Sequence, residues 1–232
     1  MTPLDLMAAR RSPLRLVIFD CDGVLVDSEP LSNRVVASAL SDIGWPMTPT
    51  EANDLFLGRS MPDMLTMIEA RLGRPVPMGW ASSVVQTLID AMRDEVGPIP
   101  GALEALVGIS ALGLPWRVAS NSSHGEMAVK FARLGVTDRV AGRLHSQFDV
   151  ARGKPAPDLF LAAAAAEGVA AAECVVIEDS VPGATAAAAA GMDCLGYAPH
   201  GDAAGLIAAG AVPFASMFEL PGLVGTALRM AA

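Results

Sequence analysis

Cationic residues, cysteines and long apolar runs are all scarce in this chain, and each scarcity closes off a class of function. Sixteen Lys and Arg stand against 25 Asp and Glu, a formal net charge of −9. An acidic surface of that kind repels nucleic acid and anionic membrane, so neither is expected as a partner. An anionic substrate would need a local positive site. The three cysteines, Cys21, Cys174 and Cys194, are odd in number, far apart and set in apolar strand-like segments, with no CxxC or CxH spacing. They read as buried free thiols of a reducing, cytoplasmic environment rather than as a disulfide or metal framework. No stretch approaches ~18 uninterrupted apolar residues, which excludes a spanning helix. The opening "MTPLDLMAARRSPLR" lacks the continuous apolar segment of a signal peptide and is expected to form a loose tail of about a dozen residues.

What the chain does contain is core material: 52% hydrophobic residues in a length of 232, enough for one large α/β domain or for a core with a small companion. "LRLVIF" has the length and β-branched content of a central strand. From Pro30 to about Val96 the period changes. "PLSNRVVASALSDIG", "SMPDMLTMIEARLG" and "GWASSVVQTLIDAMRDEV" space their apolar residues as helices do, with Gly44, Gly73 and Gly97 as stops, which predicts a small all-helical unit. Met61, Met64 and Met67 are expected in the core of that unit. Beyond it, short apolar strands alternate with helices: 116–120, 139–144, 174–178, 193–198 and 212–215 are the strand candidates. The fold class is therefore α/β, a Rossmann-like parallel sheet assembled from residues 1–30 and 97–232, interrupted by a helical insertion over 31–96. The Ala-rich stretches "LAAAAAEG" and "GATAAAAAG" read as helices packed closely on the sheet and capped by Gly168 and Gly191.

Ligands of an open parallel sheet sit outside the carboxyl ends of its strands, so the residues that end each strand carry the functional signal. The first strand runs into Asp20-Cys21-Asp22-Gly23, the second into Ser120-Asn121-Ser122, and "CVVI" into Glu178-Asp179-Ser180. A Gly/Pro-framed loop, "GKPAPD", adds Lys154. Side-chain alternation puts Asp20 and Asp22 on one side of the backbone, and Gly23 permits a sharp turn after them. Carboxylates converging without a cation repel one another severely. A hard divalent ion with oxygen ligands compensates them, and Mg²⁺ fits best; Lys154 adds a positive charge, and Ser120 with the N–H groups after it offers donors to phosphate oxygens. The set reads as a phosphoryl-transfer site with a carboxylate nucleophile.

Those residues carry a resemblance. "FDCDGVLVDSE" resembles the first motif, DxDGxxxDS/T, of the haloacid dehalogenase superfamily, and "VASNSS", "GKPAPD" and "VIEDS" are similar to its second, third and fourth, in the same order. The insertion is similar to the small cap of the phosphatase and β-phosphoglucomutase subgroup. The resemblance implies that Asp20 attacks phosphorus and that Asp22 serves as general acid, then general base. It implies Mg²⁺ held by the Asp20 carboxylate, the Asp22 carbonyl and Asp179, with Glu178 as a further ligand or a supporting residue. Phosphate would rest on Ser120, the Asn121 backbone and Lys154, and Lys154-Pro155 would be a cis peptide. Apart from the resemblance, Arg59 stands where a cap loop would close over the leaving group and reads either as a substrate contact or as a solvated surface charge. Asp22 and the acidic pair depart from the dehalogenase pattern, which sets that chemistry aside.

The expected reaction is Mg²⁺-dependent hydrolysis of a small sugar or polyol phosphate, with a small phosphorylated metabolite as partner and the oligomeric state left open. A β-phosphoglucomutase-like mutase is the rival. Mutases of that type carry a His twelve residues after the nucleophile, where this chain has Ser32, and an arginine three residues after the cap-loop glycine, whereas Arg59 directly follows Gly58. A catalytically idle phosphate-binding protein on the same fold would lack the nucleophile, the acid or the lysine, and all three are present. Asp27 and Glu29 read as scaffolding for the turn into the cap, and His124 as a helix N-terminal residue.

Overall fold

A computed structural model of the chain describes residues 1–10, 12–56 and 61–230. It divides into two compact units, Met1–Asp27 with Pro98–Ala232, and Ser28–Gly97.

The first unit begins with helix α1 (Pro3–Ala9) and strand β1 (Leu16–Phe19), and the chain leaves it through the short strand β2 (Val26–Asp27). The second unit holds α2 (Glu29–Asp42), α3 (Pro49–Phe56), α4 (Met61–Leu72) and α5 (Trp80–Glu95). The chain returns through β3 (Gly97–Pro98) and continues as α6 (Ala102–Ala111), β4 (Trp116–Ser120), α7 (His124–Arg133), α8 (Thr137–Val140) and β5 (Leu144–Ser146). It ends with α9 (Asp158–Ala166), β6 (Cys174–Glu178), α10 (Val181–Ala190), β7 (Asp193–Tyr197), α11 (Ala204–Ala208), β8 (Val212–Phe214) and α12 (Leu220–Met230). Within the first unit, the Ile99 N–H donates to the Leu25 carbonyl at 3.1 Å, which keeps the exit and the return side by side.

Six strands form one sheet in the order β5-β4-β1-β6-β7-β8, every pair parallel. Strand β1 takes the middle because all four of its residues are apolar and wholly buried, as a strand covered on both faces requires. Leu16, Ile18, Ala119, Cys174 and Val176 meet α9 and α10 in one core. Phe19, of the opposite parity, lies edge-to-face on Trp116 with centroids 6.3 Å apart. The Ala-rich α10 buries Gly183, Ala184, Ala186, Ala187 and Ala190, small residues that let the helix lie close to the sheet, and Gly191 caps it at φ 73°. The helical unit has a core of its own, in which Val35, Leu40, Phe56, Met64, Ile68, Trp80 and Val84 are buried and Met67 packs against them. All three cysteines are free and buried. Among the described residues no helix is long and apolar enough to cross a membrane.

Two local expectations are corrected, and one helix was not anticipated. The first residues are not a loose tail. Thr2 and Asp5 form a capping box that starts α1, Met7 is buried, and Arg10 pairs with Asp193 and donates to the carbonyls of Cys174 and Ala172. Residues 139–144 are not one strand, because Val140 closes α8 and Gly142 turns at φ 71°, so that extended backbone resumes only at Leu144. Helix α3, only about two turns long, had no counterpart in the sequence reading.

The closeness of α10 to β6 depends on a missing side chain. A Cβ on Gly183 would stand 1.7 Å from the Glu178 carboxylate, which is fixed by its own hydrogen bonds. Gly183→Ala is expected to cost about 1–3 kcal/mol in urea unfolding. Gly222→Ala, where a Cβ meets nothing within 4 Å, is expected to be neutral or slightly stabilising; equal effects of the two substitutions would refute the packing argument.

Candidate active site

Strands β4, β1 and β6 are neighbours, so their carboxyl ends lie side by side, and each ends in polar residues. Register fixes the first contact: the Asp20 N–H donates to the Ile177 carbonyl at 2.9 Å, which places Asp20 beside the end of β6. Its carboxylate is nearly buried, at 7% exposure.

Lys154 neutralises part of that charge. Its Nζ donates to Asp20 Oδ1 at 2.5 Å and to Glu178 Oε1 at 2.7 Å, and it also lies 4.8 Å from the centroid of the Phe160 ring. The other Glu178 oxygen accepts from the N–H groups of Asp179 and Ser180, at 3.0 and 2.8 Å, and from the Ser180 hydroxyl at 2.9 Å. Glu178 thus ties the lysine to the turn that presents Asp179. The loop carrying Lys154 is clamped from β4: Asn121 Oδ1 accepts from the Lys154 N–H at 3.0 Å and Asn121 Nδ2 donates to its carbonyl at 3.2 Å. The Lys154-Pro155 peptide is cis.

Gly23 is required by a close approach. At φ 77° it closes a turn in which its N–H donates to the Val26 carbonyl, and a Cβ there would lie 1.9 Å from Asp179 Oδ2. Only glycine lets Asp179 come up against the backbone that follows Asp22. Asp20, Glu178 and Asp179 each offer a carboxylate oxygen, all within 4.8 Å of one another.

Asp22 has a partner that the sequence reading missed. Lys130, in α7 and 1% exposed, donates to Asp22 Oδ1 and Oδ2 at 2.7 and 2.8 Å. Ser122, quoted in the second motif but given no role, donates from its hydroxyl to Asp22 Oδ2 at 2.9 Å. A signal existed in the sequence: Lys130 shares a helical face with Met127 and Phe131, both buried, so a cation interrupts an apolar stripe.

Ser120 is buried, and its Oγ accepts from the Ser122 N–H at 3.0 Å, which leaves the hydroxyl hydrogen to point elsewhere. The structure therefore brings Asp20, Asp22, Ser120, Asn121, Lys154, Glu178 and Asp179 to one rim. Arg59, with Gly58 and Ser60, lies outside the described residues. Asp27 is exposed on β2 and Glu29 occupies the first turn of α2. His124 opens α7 and pairs with Asp149 at 2.9 Å.

The electrostatics follow from these contacts. Burial pushes the Asp20 carboxyl up, Lys154 draws it down, Glu178 and Asp22 push it up again, and the result is a pKa of about 7. Burial pulls Lys154 down, but Asp20 and Glu178 outweigh it and hold the ammonium above its ordinary range. Lys130 is likewise raised, its burial outweighed chiefly by Asp22. Four carboxylates and two ammonium groups leave a formal excess of two negative charges. The donor set is hard oxygen throughout, and the space for Asp179 exists only because Gly23 has no Cβ. Charge, donor type and room together fit a divalent cation.

The sequence profile of a hydrolase family described as haloacid dehalogenase-like hydrolase matches residues 14–191. The 6-phosphogluconate phosphatase of Escherichia coli (strain K12) is 30% identical over 192 residues, covering 82% of this chain and 86% of that protein. Hexitol phosphatase A of the same organism is 31% identical over 176 residues, 75% of this chain and 78% of the relative. A conserved haloacid dehalogenase-like protein of unknown function from Agrobacterium tumefaciens str. C58 has a similar structure, with a TM-score of 0.81 at 32% identity over 94% of this chain and 100% of the other. A putative β-phosphoglucomutase from Thermotoga maritima has a TM-score of 0.76 at 25% identity, covering 90% of this chain and 98% of its own.

The raised Asp20 carboxyl predicts a pH dependence in the metal-free protein. An unfolded Asp titrates near 3.8, whereas Asp20 in the fold holds its proton up to about pH 7. The folded state binds the extra proton between those values, so this contribution to stability is largest at the acid end and declines as the pH rises through about 7. Asp20→Asn is expected to remove it, seen as a flatter Tm against pH curve from about pH 5 to about pH 8 in the presence of a chelator. Parallel curves for the two proteins would show that burial does not penalise the Asp20 charge.

Proposed function

Because the chain belongs to the haloacid dehalogenase-like hydrolase family, we propose that it hydrolyses small phosphomonoesters through an aspartyl-phosphate intermediate. The observation that carries this reading is the buried Asp20 carboxylate at the end of the central strand, held against the Lys154 ammonium, with Asp22 two residues on. In this reading one carboxylate serves for attack and one for proton transfer, both carried by a single turn of backbone.

In this reading an Asp20 carboxylate oxygen forms a bond to phosphorus as the ester P–O bond breaks, and the Asp22 carboxyl gives its proton to the departing oxygen. The alcohol leaves. Asp22, now a carboxylate, takes a proton from water as the water oxygen bonds to phosphorus. The Asp20–phosphorus bond breaks, inorganic phosphate departs and both side chains are restored. The Ser120 hydroxyl and the Asn121 N–H donate to phosphate oxygens, and Lys154 bridges nucleophile and phosphate.

Mg²⁺ is the proposed metal, held by the Asp20 carboxylate, the Asp22 carbonyl and Asp179, with Glu178 bracing the set through Lys154 and the Asp179 turn. Its chemistry there is to offset the negative charge of phosphate and nucleophile. The helical segment 31–96 is the proposed cap, and Arg59 is proposed as a substrate-binding residue. Sugar and polyol phosphates are the proposed substrate class, in keeping with the names of the two phosphatase relatives. The likeness to the putative β-phosphoglucomutase raises transfer within one sugar as a second reading, and Ser32 in place of the mutase histidine weighs against it.

A panel of phosphomonoesters assayed with Mg²⁺ for inorganic phosphate is the test. Release is expected with at least one sugar or polyol phosphate, to fall by more than about a thousandfold in Asp20→Asn, and to stop with chelator. Isomerisation of a sugar phosphate without release would replace the hydrolase reading with the mutase one.

A further inference from the structure

Lys130 takes no part in the reaction as written, yet it holds one of the most sheltered positions in the first unit. Its side chain is 2% exposed and shares its helix face with the buried Met127 and Phe131. A lysine so placed loses its hydration, and the loss must be offset by specific partners. All three ammonium hydrogens have an acceptor in reach: Asp22 Oδ1 at 2.7 Å, Asp22 Oδ2 at 2.8 Å and Ser122 Oγ at 2.9 Å. The Ser122 hydroxyl in turn donates to Asp22 Oδ2 at 2.9 Å. Lysine, serine and carboxylate form a closed triangle joining α7, the loop after β4 and the turn after β1.

The triangle constrains direction. Swinging the Asp22 side chain about its Cα–Cβ bond would carry the carboxyl group away from both Nζ and the Ser122 hydroxyl. The burial is also asymmetric, because the lysine is sheltered while the Asp22 side chain remains 31% exposed. The lysine lies inside, and part of the Asp22 side chain that it holds stays open to solvent. A buried ion pair is seldom more stabilising than apolar side chains of the same size, and a methionine would continue the stripe of Met127 and Phe131. The benefit of the charge is therefore to be sought in what Asp22 does.

We propose that Lys130, with Ser122, is a positioning residue for proton transfer: it holds the Asp22 carboxyl in the direction from which it serves the leaving oxygen. This rests on the hydrolase reading of Asp22 as general acid, and it gives Lys130 no contact with substrate.

The test separates a positioning role from a purely structural one by the leaving group. Glycerol leaving from β-glycerol phosphate needs a proton, whereas p-nitrophenolate leaves p-nitrophenyl phosphate without one. Leaving-group release is measured in single turnovers with excess enzyme and Mg²⁺, in the native protein, Lys130→Met, Lys130→Arg and Asp22→Asn. Lys130→Met is expected to slow glycerol release by about tenfold or more while changing p-nitrophenolate release by less than about threefold. Lys130→Arg, which keeps the charge, should recover part of the loss. Equal slowing of both substrates, or no slowing of glycerol release, overturns the proposal. Asp22→Asn shows which idea has failed: if it too lacks leaving-group selectivity, the acid role of Asp22 falls, and if it alone is selective, only the role of Lys130 falls. Should Lys130→Met fail to melt cooperatively, Ser122→Ala, which opens the triangle and keeps the lysine, is judged by the same two rates.

Discussion

The Lys154 ammonium between Asp20 and Glu178 is the interaction on which the rest of the rim depends. Two buried carboxylates this near each other cannot both stay ionised in a dry interior without a cation between them. The lysine supplies it, and its own position is then determined from several sides: Asn121 holds its backbone, Phe160 lies beneath its charge and Glu178 binds it to the turn after β6. Burial above all, with Glu178 and Asp22 adding to it against the pull of Lys154, pushes the Asp20 carboxyl up to about 7. A divalent cation would complete the balance, and the glycine at position 23 lets the Asp179 carboxylate come close enough to take part in holding it.

The sheet makes this balance possible. Placing β1 between β4 and β6 sets three strand ends in a row, so that residues about a hundred positions apart or more along the chain become neighbours without any long side chain having to reach. The small residues of α10 serve the same end, since Gly183 is where Glu178 needs its space. Packing and chemistry here share residues. A change made for one is felt by the other.

A second, more modest balance lies beside the first. Asp22 is held by Lys130 and Ser122, while Asp20 is held by Lys154, so each of the two reacting carboxylates proposed for this site has its own lysine. The lysines differ in origin. Lys154 sits in a Gly/Pro-framed loop that announces itself in the sequence, whereas Lys130 is the seventh residue of an ordinary amphipathic helix.

That difference marks how much of the molecule the sequence alone determined. Strand-length apolar runs ending in Asp, Ser or Glu, the switch to helical spacing after Pro30 and the glycines at turns are local patterns, and they gave the α/β class, most of the strands and the residues gathered at the rim. Signals of one or two turns were weaker: the capping box of α1, the break at Gly142 and the short α3 were within reach of the same rules but were outweighed by composition. The order of strands, the docking of α1 beside β8 and α12, and the meeting of Lys130 with Asp22 across 108 positions were decided only by tertiary structure. Periodicity specifies which face of an element is buried. It does not specify which other element lies against that face, and a buried charge finds its partner only when the whole core has closed around it.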